Sequence, residues 1–147
     1  MKNSLVAVLI LLSFGFNLSA QKAEVFTTSD GAIRGYDVVA YFTQGRAVKG
    51  DTRFRYQWKQ ADWLFSSRQN LDSFRASPER YAPQYGGYCA FGMADGHKAP
   101  TDPEAFSVLN DKLYFNYNKN VQVLWKKKTA EYIQTADKNW PTIKNKE

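Results

Sequence analysis

The chain of 147 residues has little sulfur and almost no histidine: it contains one cysteine, two methionines and one histidine. A single cysteine excludes an internal disulfide and the multi-cysteine kind of structural zinc site. A single histidine excludes any site that needs two imidazoles from one chain. The sequence also has neither a P-loop nor the glycine pattern of dinucleotide-binding domains, so no cofactor-binding residues are assigned.

The long apolar run of the sequence lies at its N-terminus. Lys2 supplies a positive charge, residues 5–16 are almost continuously apolar, and small residues follow before position 21. This pattern predicts a signal peptide over residues 1–20, and the run is short for a membrane span. Residues 21–147 are then expected to be one domain, periplasmic or secreted, with no membrane span after signal removal.

Positive charge is in excess. The 20 Lys and Arg residues outnumber the 14 Asp and Glu residues, which gives a net charge of +6. Part of the excess lies at Lys126–Lys128, and it indicates either attraction to an acidic surface or a solvated helix face. No basic-aromatic motif accompanies the charge, so we expect no nucleic-acid partner.

The residue patterns predict an α+β fold. Aromatic and polar residues alternate over residues 53–59 and apolar residues follow at 63–65, which predicts a β-hairpin. Residues 106–117 predict a second short antiparallel hairpin, and helices pack on both. We expect residues 21–34 to be a polar lead-in. Apolar residues at helical spacing predict one long helix from residue 121 to 136, ended by Trp140-Pro141.

Two hairpin-then-helix blocks lie fifty residues apart and resemble each other. Phe65 matches Phe115, Asn70 matches Asn120, Leu71 matches Val121 and Phe74 matches Leu124. A duplicated β-β-α unit explains the match, and so does chance agreement between two amphipathic blocks. The sequence leaves both explanations open.

The chemistry-bearing side chains of the exported part fall within nine residues. Cys89, Met93 and His97 are its only cysteine, methionine and histidine. Thiolate, thioether and imidazole are the ligands that favour soft metals, reduced copper above all. The spacing of four and four would place all three on one side of a helix, but the glycines at 92 and 96 are expected to end the helix, so that His97 approaches from a loop.

Aromatic and glycine residues surround the cysteine. The residues expected to line a pocket are Tyr85, Gly86, Gly87, Tyr88 and Phe91. If Gly86-Gly87 open a helix, Cys89 lies in its first turn. Free N–H groups there favour a thiolate. The alternatives are a core-filling methionine, a solvated histidine and an inert buried thiol.

Part of the sequence resembles the YHS domain. Residues 58–67 read Trp-Lys-Gln-Ala-Asp-Trp-Leu-Phe-Ser-Ser, and Asn70, Phe74, Pro78-Glu79 and Tyr81 follow. A longer pattern is similar to an exported subgroup of that family. It comprises residues 35–42, 81–90 and 101–105 with Asp137 and Asn139–Pro141.

The resemblance implies a small metal-associated module, because YHS domains occur beside copper and heavy-metal transport proteins. Many of them use cysteines after the second strand, at positions that Ser66 and Asn70 occupy here. In the exported subgroup the cysteine at the position of Cys89 is sometimes selenocysteine. This implies that the sulfur of Cys89 serves redox or soft-metal chemistry.

These observations give three hypotheses. The first is an exported binding module that handles copper or another soft metal through Cys89, with Met93 and His97 as co-ligands. Its partners would be the metal ion and a metal-transport protein. The second is a thiol-redox protein in which Cys89 reacts with a small thiol or a redox partner protein that resolves it. The third is a non-catalytic interaction domain. No catalytic residue is assigned besides Cys89 as the redox candidate.

Overall fold

A computed structural model describes residues 23–146, so the predicted signal peptide lies outside the described residues. Within this range the chain forms six α-helices and three separate antiparallel pairs of strands, which confirms the α+β fold class. The strands are β1 (Thr27–Thr28), β2 (Gly31–Ala32), β3 (Asp51–Trp58), β4 (Ala61–Phe65), β5 (Phe106–Leu109) and β6 (Lys112–Phe115). The helices are α1 (Val38–Thr43), α2 (Arg68–Ala76), α3 (Pro78–Tyr81), α4 (Ala90–Ala94), α5 (Lys119–Lys126) and α6 (Thr129–Ile143).

Both predicted hairpins are present. Phe54, Tyr56 and Trp58 of β3 are half-buried and alternate with exposed residues, as the period-two pattern predicted. The turn residues between β3 and β4, Lys59 and Gln60, both have positive φ, and so do the turn residues 110–111 between β5 and β6. Two residues with positive φ are what a tight two-residue hairpin turn requires. Each hairpin is therefore closed by local turn chemistry.

The two halves of the chain repeat the same unit, and the register of the repeat differs from the predicted one. The hairpin turns and the N-caps of the following helices, Ser67 and Asn118, are each 51 positions apart rather than fifty. In this register Phe74 of α2 corresponds to Trp125 of α5, and both are fully buried. Leu124, the predicted counterpart of Phe74, is 46% exposed. The predicted matching was wrong by one residue because both registers preserve an amphipathic pattern.

The predicted polar lead-in is wrong over residues 25–33. Residues 27–32 form a third hairpin, β1 with β2, and Val25, Phe26 and Ile33 are buried in the first core cluster. Gly31 has a φ of 111°, and a Cβ there would lie 2.7 Å from the Asp62 carbonyl oxygen, so the hairpin turns close against β4. The polar residues between the apolar ones mask this short element in the sequence.

The single long helix predicted near the C-terminus is two helices. The helix breaks at Lys128, which has non-helical backbone angles (φ −145°, ψ 47°), and α6 begins at Thr129. The helix also continues through Pro141 to Ile143 instead of ending at Trp140. Lysine is a good helix former, so the sequence around Lys128 gives no signal for the break. The break lets Trp125 and Ala136 enter the same second core cluster.

A buried lysine joins the two ends of the described chain. The Nζ atom of Lys98 donates to the carbonyl oxygens of Ala23 (3.3 Å), Lys144 (2.9 Å) and Lys146 (2.7 Å). The residue is 3% exposed, and its ammonium lies 5.4 Å from the ring centroid of Tyr88. Among residues 23–146, no helix is long and apolar enough to cross a membrane.

Candidate functional site

Cys89 lies at the start of α4, as the N-cap residue of that helix, and is 1% exposed. The chain enters this position through a tight 3₁₀ turn over residues 84–87, in which Tyr85, Gly86 and Gly87 all have positive φ. The glycine pair therefore opens the helix, as predicted. Cys89 occupies the cap position rather than the first turn, which places its side chain among the free N–H groups of the helix start.

Three N–H donors surround the Cys89 sulfur. The backbone N–H of Gly92 donates to Sγ at 3.4 Å, that of Tyr117 at 3.3 Å, and the side-chain Nδ2 of Asn116 at 3.9 Å. The buried sulfur is thus a hydrogen-bond acceptor shared by the start of α4 and the residues just after the second hairpin.

The first half of the chain holds a buried carboxyl group in a similar setting. Asp37 is fully buried and caps α1. Its Oδ1 atom accepts from the backbone N–H groups of Val39 (2.9 Å) and Ala40 (3.3 Å). Its Oδ2 atom accepts from the backbone N–H (2.8 Å) and hydroxyl (2.6 Å) of Ser66 and from Nδ2 of Asn70 (2.7 Å). Five donors compensate the burial of this carboxylate.

Cys89 is the counterpart of Asp37 in the second half. Both residues follow a Gly-Tyr pair whose glycine has positive φ. In both halves the backbone N–H three residues after the cap donates to the cap's side chain. In both, the residue just before the N-cap of the helix after the hairpin also donates its N–H: Ser66 in the first half and Tyr117 in the second. A sulfur therefore occupies the place of a carboxylate.

The predicted co-ligands lie differently around Cys89. His97 is in the loop after α4, as expected, and a Cβ built on Gly92 would be 3.3 Å from its Nε2 atom. Its Nδ1 atom lies 3.4 Å from the Asp95 carboxylate, and its side chain is 56% exposed. Met93 is fully buried in the second core cluster. The sulfur accepts the N–H of Gly92, the imidazole lies on the side of Gly92 where a side chain would project, and the thioether packs in the core.

The residues predicted to form one pocket line separate cavities. Tyr85 and Gly86 line a cleft of about 350 Å³, Tyr88 lines a cavity of about 370 Å³, and Phe91 lines one of about 190 Å³. Gly87 lines none of these three, because its α-carbon faces the side chain of Ile33. Cys89 lines none of them either, so the aromatic residues do not form a common chamber around the sulfur.

Tyr85 is the best-anchored aromatic residue of this region. Its hydroxyl donates to the Asp137 carboxylate at 2.8 Å. Burial raises the pKa of Tyr85 far above its usual value, and the hydrogen bond to Asp137 raises it further. Burial also raises the pKa of Tyr88. Both phenols therefore stay neutral. Their rings pack in the fold, and their hydroxyl groups are held by hydrogen bonds.

Asn116 and Asp37 are the site residues that sequence reasoning missed. Asn116 is 1% exposed, and its Oδ1 atom is one of two buried side-chain polar atoms in residues 23–146 that have no hydrogen-bond partner. Only the fold shows that Asn116 reaches Cys89, since 27 residues separate them. The equivalence of Asp37 could have been found from the repeated Gly-Tyr pairs at residues 35–36 and 87–88.

Comparison with known proteins identifies one family. Residues 39–85 match the YHS domain, and that family is associated with copper or metal binding. The match covers α1 through α3, and it ends four residues before Cys89. No curated protein and no solved structure matches the chain. Within residues 23–146, no group of three or more His, Cys, Asp and Glu side chains is placed to hold a metal ion.

Proposed function

Starting from a chain that contains a YHS domain, we propose that this protein is an exported module that binds a soft metal ion, reduced copper, through the sulfur of Cys89. The donors around the sulfur carry the proposal. Thiolate is the form of cysteine that ligates metals, and N–H groups directed at the sulfur stabilise that form. The equivalence with Asp37 supports it, since the same backbone frame directs N–H donors at an acidic side chain in the first half.

His97 is the proposed second ligand. Its Nε2 atom would be 3.3 Å from a Cβ built on Gly92, the residue whose N–H contacts the sulfur, so the imidazole lies on the open side of that glycine. Its Nδ1 atom faces the Asp95 carboxylate at 3.4 Å. Histidines that bind metals commonly direct their other ring N–H at a carboxylate, which orients the imidazole and leaves one nitrogen for the metal. This arrangement supports a role for Nε2 as ligand.

Two further groups complete the proposed surroundings. Met93 packs in the second core cluster, so we assign it to the wall of the site rather than to the primary ligands. The unpartnered Oδ1 atom of Asn116 belongs to the same amide whose nitrogen contacts the sulfur. A cation next to the sulfur would satisfy that oxygen. The donor set fits a soft metal with one thiolate, one imidazole and a weak oxygen contact.

The burial of the Cys89 sulfur argues against the thiol-redox alternative. Disulfide exchange requires a partner sulfur to approach the thiolate along the axis of the bond that breaks. At 1% exposure Cys89 offers a bulky disulfide little access, whereas a metal ion needs only a small opening. We therefore favour the metal-binding hypothesis over the thiol-redox hypothesis. The predicted signal peptide supports delivery to the periplasm or the exterior, where a metal-transport protein is the proposed partner.

Competition with a chromogenic Cu(I) chelator under reducing conditions tests the proposal. We expect the native chain to take one copper ion, Cys89→Ser to take none, and His97→Gln to bind at least about tenfold more weakly. His97 is exposed, so His97→Gln retains the fold even where the Cys89 variant is destabilised.

Asp72→Asn is the matched control, because it changes a partly exposed carboxylate on the surface of α2, outside the Cys89 site. We expect it to bind copper with nearly native affinity. Equal affinity of the native chain and a folded Cys89→Ser variant would refute the metal role. Cys89 would then be a structural helix cap, and the third hypothesis, a non-catalytic domain, would stand.

A further inference from the structure

The exposed large apolar side chains of residues 23–146 are concentrated in one stretch of the chain. The five residues in this class are Val108, Leu109, Tyr117, Val123 and Leu124. They lie in the second hairpin, in the helix that follows it or in the link between the two, and none lies in the first half. Single exposed apolar residues are ordinary. Their restriction to one block of a repeated unit indicates an interaction surface.

The same stretch is rich in lysine. Residues 108–128 contain five lysines and a single acidic residue, Asp111. The lysines are Lys112, Lys119, Lys126, Lys127 and Lys128, and all are exposed. The stretch contains no arginine, although the chain has seven arginines before residue 81. Apolar side chains and lysine ammonium groups thus occur together here.

The fold brings the helix and the hairpin of this stretch side by side. The Nε2 atom of Gln122 donates to the Phe106 carbonyl oxygen (2.5 Å) and to the Ser107 hydroxyl (3.1 Å), which fixes α5 against β5. Gln122 and Trp125 point inward, so Val123 and Leu124 lie on the outer side of α5. We call the exposed residues of α5 and its C-terminal end, Val123, Leu124 and Lys126–Lys128, the lysine face.

We propose that the lysine face docks the protein onto the surface of an anionic lipid membrane. Lysines and aliphatic side chains are the composition of interfacial membrane contacts, where ammonium groups meet lipid phosphates and apolar side chains enter the headgroup layer. Protein–protein interfaces are depleted in lysine and enriched in arginine, so the exclusive use of lysine here favours lipid over an acidic protein. The occupant is therefore an anionic lipid surface.

Sedimentation with lipid vesicles tests this proposal, with the chain expressed from Gln21. We expect binding to phosphatidylcholine vesicles that contain phosphatidylglycerol, and little binding to phosphatidylcholine alone. The triple change Lys126→Gln, Lys127→Gln and Lys128→Gln should weaken binding about a hundredfold at low salt. The double change Val123→Ser and Leu124→Ser should weaken it about tenfold without any change of charge.

A matched control removes the same charge elsewhere. Arg46, Arg68 and Arg80 are exposed residues of the first half, and changing all three to glutamine should leave vesicle binding almost unaffected. Equal loss in this control would mean that net charge alone drives binding, and the docking proposal would fail. Absence of binding to anionic vesicles at low salt would also overturn the docking proposal. The lysine face would then bind an acidic protein or simply contact solvent. Copper affinity is independent of these changes, so the two proposals are tested separately.

Discussion

Asp37 and Cys89 occupy equivalent cap positions in the two halves of the chain, one with a carboxylate and the other with a sulfur. The backbone frame around them is shared: a Gly-Tyr pair before the cap, a helix after it, and an N–H from the end of the following hairpin. The first half has added Ser66 and Asn70 side chains as donors, whereas the second half has only Asn116. A weaker set of donors suits a softer and larger atom.

This equivalence predicts how Cys89 tolerates substitution. Cys89→Ala leaves the surrounding N–H groups without an acceptor, and we expect a loss of about 1–3 kcal/mol in the free energy of unfolding. Cys89→Asp supplies the group that Asp37 supplies in the first half and should be more stable than Cys89→Ala. Urea unfolding of the two variants measures the difference. An aspartate variant less stable than the alanine variant would contradict the equivalence.

The Asp37 carboxylate should be essential for stability. Asp37→Asn replaces one oxygen with an NH₂ group that faces the donors of Ser66 and Asn70, so we expect a loss of at least about 3 kcal/mol. Asp72→Asn is the control, because Asp72 is half-exposed and pairs only with Arg75 on the helix surface. That change should alter the free energy of unfolding by less than about 0.5 kcal/mol.

The register of the internal repeat is tested on α5. Trp125→Ala removes a fully buried ring and should destabilise the fold by about 3–5 kcal/mol. Leu124→Ala truncates a side chain that is 46% exposed and should have an effect below about 1 kcal/mol. Thermal unfolding of both variants distinguishes the register of 51 from that of fifty. Similar losses of stability in Trp125→Ala and Leu124→Ala would argue for the register of fifty.

Gly86 should tolerate no side chain. Its φ is 62°, and a Cβ there would overlap the Glu24 carbonyl oxygen. Gly45 has a similar φ of 66° but open space around it, so Gly45→Ala measures the backbone strain alone, about 1–2 kcal/mol. Gly86→Ala should lose several kcal/mol more than that control, because the clash is with rigid backbone. Comparable unfolding midpoints for Gly86→Ala and Gly45→Ala would show that the backbone near Glu24 shifts to make room for the added methyl group.

Alkaline pH should unfold the protein through its buried tyrosines. Burial raises the pKa of Tyr41 far above its usual value, and the nearby Glu104 carboxylate adds to the effect. The unfolded chain loses the phenol proton near pH 10, while the folded chain keeps it. The stability contribution is therefore complete below about pH 10 and declines as the pH rises beyond it.

Urea midpoints between pH 8 and pH 11 measure this decline. Tyr41→Phe removes the phenol and should make the decline shallower, although it also removes the hydrogen bond to the Pro103 carbonyl oxygen at 2.9 Å. Tyr117→Phe changes a tyrosine that is 52% exposed and should leave the slope unchanged. An identical slope in the native chain and Tyr41→Phe would disprove the assignment.

The elements governed by local chemistry were predictable from the sequence. The two hairpins follow from the alternating residues of β3 and the turn residues, and α1 and α2 from their caps Asp37 and Ser67. The contacts that define the site were not, because they join residues far apart in the chain. Asp37 meets Ser66 across 29 positions, and Cys89 meets Tyr117 across 28. Neither the burial of Cys89 nor its donors leave a periodic signal.

The contacts of Lys98 have a practical consequence. Because its ammonium group holds carbonyl oxygens from both Ala23 and Lys146, the two ends of the described range lie at one corner. An affinity tag or a fluorophore attached at either of these two residues would leave from that corner. A short linker could also join the two ends, and new termini could then be opened in an exposed turn such as the one at Gly45, giving a circularly permuted chain.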